Sequence, residues 1–392
     1  MKKICHVIFK HPPLDGRVFY KELQSLRENG LYQLMLAVPQ LNSSSIGRRK
    51  EIPLSGFPKD FVYEGIKFIP YSYKRKVPKQ FGLRRKTAVK SLVAALMEAD
   101  AEVYHFHEDE VCIKAAAELK RKRPEKKIIF DFHEMYLFQY REDPSKTHRL
   151  PEYIDFENKI ISTADAVITV SPFISDYFKT LGADNVFTVM NSQSDKILGT
   201  SGGESKEKKE APFTVVHEGS MKFDRGLKLF LETVLLSRPE IRFKIIGDIP
   251  PAESEYLKSH KNYNELKNRV EVTGFLPYKE MSLHLKTASI GIDFRTSMNA
   301  QSGIANKFFD YLAFGLPVIG LKNLSSDRFF DKYGFGYSIQ EASPQKAAEK
   351  INTLYNDPEK MKEMSEASRL AFTEELNWEN QFEKLLSAYQ SL

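Results

Sequence analysis

Short runs of apolar residues, each about the length of a β-strand, recur along this chain and alternate with segments of helical spacing. In the first half these runs occupy residues 4–9, 34–39, 103–107, 127–132 and 166–171. One intervening segment carries Phe19, Leu23 and Leu26 on one side and ends at Gly30. Strands that are apolar throughout and alternate with amphipathic helices are typical of a parallel sheet covered on both faces.

The pattern is interrupted once and then restarts. Residues 199–212, GTSGGESKEKKEAP, contain no large apolar residue and are typical of a linker or a long exposed loop. The second set of runs occupies residues 213–219, 242–248, 270–276, 289–294 and 316–321. A chain of 392 residues is long enough for two domains.

The sequence therefore predicts an α/β protein with two tandem Rossmann-like, doubly wound parallel-sheet domains that face each other across a cleft. The first domain is predicted at residues 1–198 and the second at residues 213–376. Residues 377–392 have a helical apolar face, and we expect this helix to pack back on the first domain.

Charge is unevenly distributed. The formal net charge is +6, yet residues 65–97 contain nine Lys or Arg residues and no acid. Tyr71, Tyr73 and Phe81 lie among these cations, a pattern that predicts peripheral contact with an anionic membrane. A solvated face balanced by acids elsewhere explains the segment equally well. No recognised nucleic-acid-binding module surrounds it, so no nucleic-acid partner is expected.

Cysteine usage bears on the compartment. Cys5 and Cys112 cannot form a disulfide framework and are not spaced as metal ligands. No apolar run approaches the length of a membrane span, and the apolar run at the N-terminus is too short for a secretory signal. We therefore expect a cytoplasmic protein, at the inner face of the cell membrane if residues 65–97 contact lipid.

Polar residues that follow the strands are the first candidates for function, because open parallel sheets bind ligands at the carboxyl ends of their strands. In VHEGSMKFDRGLKLF, a strand ends before Gly219 and a helix begins near Gly226, with Arg225 at its start. A guanidinium beside the free N–H groups of a helix start favours a diphosphate. The alternative is a surface arginine without a ligand.

The segment SMNAQSGIANKFFDYLAFGLPVIG also contains candidate ligand-binding residues at a helix start. Ser302, Gly303 and Asn306 surround a helix start, with Lys307 and Asp310 in its first turns. A carboxylate there can accept hydrogen bonds from vicinal ribose hydroxyls. By itself, Asp310 is explained at least as well by complementing the helix dipole.

Together these two segments resemble the donor-site signatures of nucleotide-sugar-dependent, retaining glycosyltransferases of the family-four type, which have the GT-B fold. Further similarity lies in HPPLDGRVFYKELQSLRENG, VYHFHEDE, IIFDFHEMY, ADAVITVSPFISDYF and VTGFLPYKEM. The resemblance therefore covers nearly the whole chain.

The resemblance implies that the second domain binds a nucleoside diphosphate sugar of the UDP or GDP type and that the first binds the acceptor. Arg225 would neutralise the diphosphate, Asp310 would bind the ribose and the backbone of residues 274–276 would lie beside the base. His133 would face the transferred sugar and, with Arg225 and Asp310, is assigned to catalysis. The donor-binding set is Gly219, Ser220, Lys222, Arg225, Gly274, Phe275, Leu276, Ser302, Gly303, Asn306, Lys307 and Asp310.

The acceptor side is expected in the first domain. The residues assigned to it are Asp15, Gly16, Arg17, His107, Glu108 and Glu134. By composition, a metal site could instead be formed by His105, His107, Glu108, Asp109, Asp131, His133 and Glu134. The resemblance implies no protein-bound metal ion and no other cofactor.

Three departures from the family pattern affect the expected site. Ser220 replaces a basic residue, Ser302 replaces the first glutamate of a paired-glutamate motif, and Asp310 shortens the second. The prediction is a glycosyltransferase that acts with retention on a glycan or lipid-linked acceptor in polysaccharide biosynthesis. A nucleotide-sugar 2-epimerase and a catalytically lapsed binding protein are the alternatives. A nicotinamide enzyme is disfavoured because no G-x-G-x-x-G follows a strand.

Overall fold

The structure, a computed structural model, describes residues 1–41, 61–73, 83–195 and 212–392. It divides into two compact units. The N-terminal unit comprises Met1–Val189 together with Phe382–Leu392, and the C-terminal unit comprises Met190–Gln381. The predicted linker at 199–212 lies, except for Pro212, outside the described residues.

The N-terminal unit contains one sheet with the strand order β3-β4-β2-β1-β5-β6-β7-β8. Every neighbouring pair is parallel except the antiparallel pair of β3 and β4. Its strands are β1 (Lys2–Val7), β2 (Tyr32–Leu41), β3 (Val62–Tyr63), β4 (Ile66–Tyr73), β5 (Val103–His107), β6 (Lys127–Phe132), β7 (Ala166–Thr169) and β8 (Val186–Thr188). The chain runs outward in opposite directions from β1 and β5, so their carboxyl ends flank a topological switch point.

Helices connect these strands. The first connection is a π-helical turn, Val18–Leu23, that continues into a short α-helix and stops at Gly30 with φ of 73°. The helices are α1 (Gln24–Asn29), α2 (Leu83–Ala99), α3 (Glu110–Lys122), α4 (Tyr136–Glu142), α5 (Leu150–Thr163) and α6 (Pro172–Thr180), with a 3₁₀ turn at Thr147–Arg149. Phe19, Leu23 and Leu26 are buried, as their spacing predicts.

The C-terminal unit contains a parallel sheet with the strand order β11-β10-β9-β12-β13-β14. Its strands are β9 (Thr214–Glu218), β10 (Arg242–Ile246), β11 (Val270–Val272), β12 (Ile290–Asp293), β13 (Val318–Leu321) and β14 (Gly336–Ile339). The order reverses between β9 and β12, which makes their carboxyl ends the switch point of this sheet.

The helices of the C-terminal unit alternate with its strands. They are α7 (Leu227–Leu236), α8 (Pro251–Lys258), α9 (Tyr263–Arg269), α10 (Tyr278–Thr287), α11 (Met298–Ser302), α12 (Asn306–Ala313), α13 (Asp327–Tyr333), α14 (Pro344–Asn356) and α15 (Pro358–Ala371), with short turns at Phe223–Arg225 and Phe372–Leu376. The last helix, α16 (Trp378–Gln390), belongs to the N-terminal unit from Phe382 onward.

Successive residues of β9 show that both faces of this sheet are covered. Val215 packs into an apolar cluster with Phe230 of α7, whereas Val216 packs into a second cluster with Phe309 of α12. Neighbouring side chains of a strand point to opposite faces, so helices lie on both sides of the sheet. The prediction of two doubly wound α/β domains is confirmed. No helix among the described residues is both long and apolar enough to span a bilayer.

Candidate functional site

The candidate donor site lies at the carboxyl ends of β9 and β12. His217 and Glu218 end β9, Asp293 ends β12, and α12 follows β12 along the chain. Ligands of open α/β sheets bind at such a switch point. The fold therefore brings residues from two sequence segments, 217–226 and 293–310, to one end of the sheet.

Two glycines shape the turn after β9. Gly219 has φ of 92° and Gly226 has φ of 85°, a left-handed conformation that other residues rarely adopt. A Cβ on Gly219 would lie 3.5 Å from Nη1 of Arg225, so the guanidinium sits close over this backbone. Nη1 of Arg225 also donates to the Ser220 carbonyl over 3.2 Å. Arg225 is half-buried, which leaves part of its guanidinium available to a ligand.

Lys307 lies at the centre of the site. Its Nζ is 3.3 Å from Nε2 of His217 and 4.0 Å from Oδ1 of Asp293, and the side chain is almost fully buried. Burial, together with the cations Arg295 and Arg225, lowers the pKa of Lys307 to about 8 against the attraction of Asp293. An anionic ligand close to Lys307 would stabilise the charged form of its side chain.

Arg295 adds a third cation, since its guanidinium forms a forked ion pair with Asp293, with Nη2 2.8 Å from Oδ2. Burial alone would raise the pKa of Asp293, but Arg295 and Lys307 bring it down to about 2. Lys307 and Arg295 thus flank one ionised carboxylate, and Arg225 lies near enough to Lys307 to lower its pKa. Such a local group of three cations favours a di-anion.

Asp310 lies beside a second carboxyl group. It is almost fully buried, and its Oδ1 accepts a hydrogen bond from Oη of Tyr278 over 3.2 Å. Burial, the charge of Asp310 and a hydrogen bond between the two carboxyl groups raise the pKa of Glu218 well above its ordinary value. The pair therefore shares one proton, with Asp310 as the ionised partner.

Two polar atoms in this region lack a protein partner. Oγ of Ser220 and Oε2 of Glu218 are buried and accept or donate no hydrogen bond within the described part of the chain. Native proteins rarely leave such atoms unpaired, so their position at the switch point indicates a polar ligand.

The remaining residues predicted for the donor site lie in the loops that follow β11 and β9. Gly274 has φ of 73° with open space where a side chain would be, and Phe275 is 82% exposed. Leu276 packs partly on the apolar core. Lys222 is half-buried in the turn before Arg225.

The predicted residues near the start of α12 differ in exposure and in hydrogen bonding. Ser302 is buried, and its Oγ donates to the carbonyl of Asn299 over 2.8 Å, so its hydroxyl is used within α11. Gly303 is extended with open space around it. Asn306 is exposed, and its Oδ1 accepts from Nδ2 of Asn191 over 3.2 Å.

In the N-terminal unit, Asp15 organises the loop after β1. Its carboxylate accepts from the backbone N–H groups of Arg17 and Val18 over 2.8 Å and 3.0 Å. Burial alone would raise the pKa of Asp15, but these bonds and one from His11 bring it below its ordinary value. Gly16 beside it has open space where a side chain would be.

Arg17, which the resemblance assigns to the acceptor side, is buried. Its side chain is 5% exposed, and its Nε and Nη2 donate to Asp131 over 3.0 Å and 3.2 Å. Nη1 donates to the carbonyl of Val189 over 2.9 Å, and Nε is 2.9 Å from Oε1 of Glu22. The guanidinium therefore joins the loop after β1 to β6 and to the segment that follows β8.

His133 is the partly exposed member of a group of histidines. Its Nε2 is 3.1 Å from Oδ2 of Asp131 and 3.4 Å from Nδ1 of the fully buried His107. Burial lowers the pKa of His133 and the Asp131 carboxylate offsets this in part, so the imidazole is neutral near pH 7. A neutral imidazole backed by a carboxylate can accept a proton or polarise a hydroxyl.

Glu108 is buried, whereas Glu134 is exposed. Oε2 of Glu108 accepts from the backbone N–H groups of His133 and Glu134 over 2.9 Å and 3.1 Å, and the carboxyl is buried. The side chain of Glu134 is exposed. Glu108 therefore fixes the loop that carries His133.

Several residues of both regions were not predicted from the sequence. Glu22 had a visible signal, an acid within the apolar stripe of Phe19, Leu23 and Leu26, and it is fully buried. The others are His6, His11, His217, Glu218, Asp293, Arg295 and Tyr389. Side-chain groups with metal-binding spacing occur, among the described residues, only in the N-terminal unit.

The basic segment is described only in part, because Lys74, Arg75, Lys76, Lys79 and Phe81 lie outside the described residues. Tyr71 is buried, and its Oη donates to the carbonyl of Ile8 over 2.7 Å, so it does not contribute to a lipid-facing surface. Its burial corrects the prediction for this residue.

Two family models match the chain. Residues 203–371 match the model described as "Glycosyl transferases group 1", and residues 54–191 match the model described as "Glycosyltransferase Family 4". The two stretches together span most of the sequence. The chain has no significant match among curated proteins.

Solved structures share its fold at low sequence identity. HepE from Anabaena in complex with UDP is 14% identical, with a TM-score of 0.73 over 100% of both chains. Sucrose-phosphate synthase from Thermosynechococcus elongatus is also 14% identical, with a TM-score of 0.73 over 100% of this chain and 98% of that one. A putative UDP-N-acetylglucosamine 2-epimerase from Listeria monocytogenes is 12% identical, with a TM-score of 0.60 over 100% and 96%. The fold is thus that of GT-B proteins, and the matched models specify the family within it. The chain belongs to the glycosyltransferases of the family-four type.

Proposed function

We propose that this glycosyltransferase transfers a sugar from a nucleoside diphosphate sugar to a glycan or lipid-linked acceptor, with retention at the anomeric carbon. The observation that carries the proposal is a group of three cations at the switch point. Lys307 and Arg295 contact the carboxylate of Asp293, and Arg225 lies near Lys307. HepE, which has the same fold, has been solved with UDP and with UDP-glucose. A UDP-type donor is therefore the first candidate.

The proposed roles follow from the contacts. Arg225, Lys307 and the N–H groups at the start of α12 stabilise the charge that develops on the departing diphosphate. Asp310, ionised beside protonated Glu218, accepts hydrogen bonds from the ribose hydroxyls. The free Oγ of Ser220 supplies a further donor.

Retention requires no enzymic carboxylate nucleophile in this proposal. The bond between the anomeric carbon and the diphosphate oxygen breaks first, and the acceptor hydroxyl then attacks the oxocarbenium-like centre from the same face. The departing phosphate oxygen accepts the hydroxyl proton. His133, neutral and backed by Asp131, is proposed to orient or polarise a sugar hydroxyl.

A thermal-shift screen against UDP-, GDP- and ADP-sugars tests the donor class. A ligand at about one hundred times its dissociation constant adds about 2.7 kcal/mol to the free energy of unfolding, a shift of roughly 5–10 °C for a domain of this size. We expect a shift with one nucleotide series only. No shift with any of them would contradict the proposal.

The 2-epimerase remains a second candidate because a putative enzyme of that kind has the same fold. Incubation with UDP-N-acetylglucosamine alone, followed by mass spectrometry and chromatography of the sugar, separates the two activities. A glycosyltransferase leaves the C2 configuration unchanged, whereas an epimerase inverts it without an acceptor. Binding without either reaction would indicate a lapsed enzyme.

The lowered pKa of Lys307 predicts a pH dependence of donor binding. The charged ammonium attracts the diphosphate, and with a pKa of about 8 it is lost as the pH rises through that value. Affinity for UDP should be constant below about pH 7 and fall up to tenfold per pH unit above about pH 8. Calorimetric titration with UDP at several pH values measures this.

The Lys307→Arg variant is the control, because arginine stays charged across this range. Its affinity should change much less above about pH 8. An equal fall in both proteins would assign the titration to another group.

Contact with an anionic membrane, and with it a location at the inner face of the cell membrane, is a separate proposal. Lys86 and Lys90 are exposed on α2 and line an open groove of about 840 Å³ that also includes Val89, Val93 and Met97. The protein should co-sediment with vesicles that contain phosphatidylserine. The co-sedimented fraction of the Lys86→Glu, Lys90→Glu double variant should be several-fold lower. Equal sedimentation with neutral vesicles would contradict a role for charge.

A further inference from the structure

Four buried side chains of the N-terminal unit converge where β1 meets β5. His6 comes from β1, His105 and His107 from β5, and Glu22 from the π-helical turn that follows β1. All four are 0% exposed, and one nitrogen or oxygen atom from each lies within 4.8 Å of the others. The resemblance assigns His107 to the acceptor side, and the other three have no role in the proposed transfer reaction.

Three of the donor atoms have the spacing of ligands around one ion. Nδ1 of His6 is 3.0 Å from Nε2 of His107, and Oε2 of Glu22 is 3.6 Å and 3.7 Å from these two nitrogens. A point equidistant from the three atoms would lie about 2.0 Å from each, which is the bond length of zinc to imidazole nitrogen and carboxylate oxygen.

Hydrogen bonding within the protein leaves two of these atoms unpaired. Oε2 of Glu22 and Nε2 of His105 are fully buried and take no hydrogen bond from any described residue. Leaving such an atom unpaired in the interior destabilises the folded state. Both destabilising effects would be removed by one cation bound between them.

The other nitrogens of the imidazoles already have partners. Oη of Tyr389 in α16 lies 2.8 Å from Nε2 of His6 and 2.7 Å from Nδ1 of His105. Nδ1 of His107 lies 3.4 Å from Nε2 of His133. Metal-binding histidines usually have their second nitrogen bonded in this way, which fixes the tautomer and directs the lone pair toward the ion.

The second oxygen of Glu22 is held as well. Its Oε1 forms an ion pair with Arg17, 2.9 Å from Nε, whereas Oε2 is the oxygen nearer the imidazoles. A second group with metal-binding spacing, His107, Asp131 and His133, differs because none of its ligand atoms is buried without a hydrogen-bond partner. Its nitrogens and carboxylate oxygen are 3.1–3.6 Å apart and are paired with one another and with Arg17.

We propose that His6, Glu22, His105 and His107 bind one Zn²⁺ ion in the N-terminal unit. Three imidazole nitrogens and one carboxylate oxygen suit zinc, which prefers four such ligands in tetrahedral geometry. Because all four side chains are fully buried, the ion has no open position for a substrate and is structural.

The proposed ion joins elements that are distant in sequence. It binds β1, β5 and the π-helical turn directly, and through Tyr389 it fixes the part of α16 that belongs to this unit. The free energy of zinc binding is added to the free energy of unfolding, because the unfolded chain has no preformed site. Removal of zinc should therefore lower the melting temperature of this unit.

The test measures metal content and coordination in the full chain without a histidine tag. Protein purified with zinc present, or refolded with ZnCl₂, should contain about one Zn²⁺ per chain by plasma mass spectrometry. Protein refolded with Co²⁺ should show the visible absorption of tetrahedral cobalt without a thiolate charge-transfer band, since both cysteines lie outside the set. These readouts do not depend on glycosyltransfer, so they are independent of the proposed function.

Glu22→Gln and His105→Asn should each lower zinc content at least tenfold, whereas His148→Asn, at an exposed histidine of the same unit, should leave it unchanged. Folded wild-type protein with less than about a tenth of an equivalent of metal, and no cobalt spectrum, would overturn the proposal and leave a hydrogen-bonded histidine network. Full metal content in both variants would also overturn it. If the variants do not fold, the zinc stoichiometry and the cobalt spectrum of the wild-type protein still test the proposed zinc site.

Discussion

Replacing Arg225 with alanine is expected to lower the rate of sugar transfer by roughly 10²–10³-fold, the usual cost of removing one charge-stabilising donor from an active site. The guanidinium lies at the switch point between β9 and β12 with Lys307, and it is only half-buried. Bond cleavage adds a negative charge to the terminal phosphate of the diphosphate, so an interaction with Arg225 strengthens as the reaction proceeds. The loss should therefore appear mainly in kcat.

The stability of Arg225→Ala should change little, because Arg225 makes one hydrogen bond among the described residues, to the Ser220 carbonyl. Arg225→Lys should retain part of the activity, since it keeps the charge but loses the forked geometry. Lys258→Ala, at an exposed lysine of the same unit, is the matched control. The measurement is steady-state release of nucleoside diphosphate with the donor found in the screen. Turnover of Arg225→Ala within threefold of wild type would remove Arg225 from the mechanism.

The fold was largely predictable because its central strands are apolar on both faces. The runs at 103–107 and 127–132 coincide with β5 and β6, and Gly30 and Gly315 end their helices with φ of 73° and 64°. Such features depend on local sequence alone.

The strand β4 shows where local patterns are insufficient. Ile66 and Phe68 are buried, whereas Lys67 between them, paired with Met35, is half-buried and points to the other face. Because the many cations of residues 65–97 indicated a charged surface, the alternating burial along β4 was not predicted. The short strands β8 and β14 have only three and four residues, too few for a periodic signal.

The site residues found only in the structure are those whose environment depends on distant parts of the chain. Asp310 was predicted as a ribose ligand, but its pairing with Glu218 joins residues of α12 and β9. His6 and Tyr389 are adjacent although 383 positions separate them in the sequence. Single-sequence reasoning identifies polar residues near strand ends, whereas such pairings require the strand order of the sheet.

Replacing Gly226 with alanine should destabilise the C-terminal unit by about 3 kcal/mol or more and weaken donor binding. Gly226 has φ of 85°, and a Cβ there would lie 2.3 Å from the carbonyl oxygen of Phe294 and 2.6 Å from its Cβ. Phe294 is fully buried directly after β12, so it cannot move aside without disturbing the sheet. The turn that carries Arg225 must shift instead.

The matched control for Gly226→Ala is Gly334→Ala in the same unit. Gly334 has a similar φ of 70°, but nothing lies within 4 Å of a Cβ built on it. This variant isolates the cost of the left-handed conformation, about 1–2 kcal/mol. For a unit of this size we expect calorimetry to show a melting temperature about 2–8 °C lower for Gly334→Ala and at least about 6–12 °C lower for Gly226→Ala. Equal shifts would show that the contact with Phe294 relaxes freely, and then the turn after β9 would not be held by close packing against the residue that follows β12.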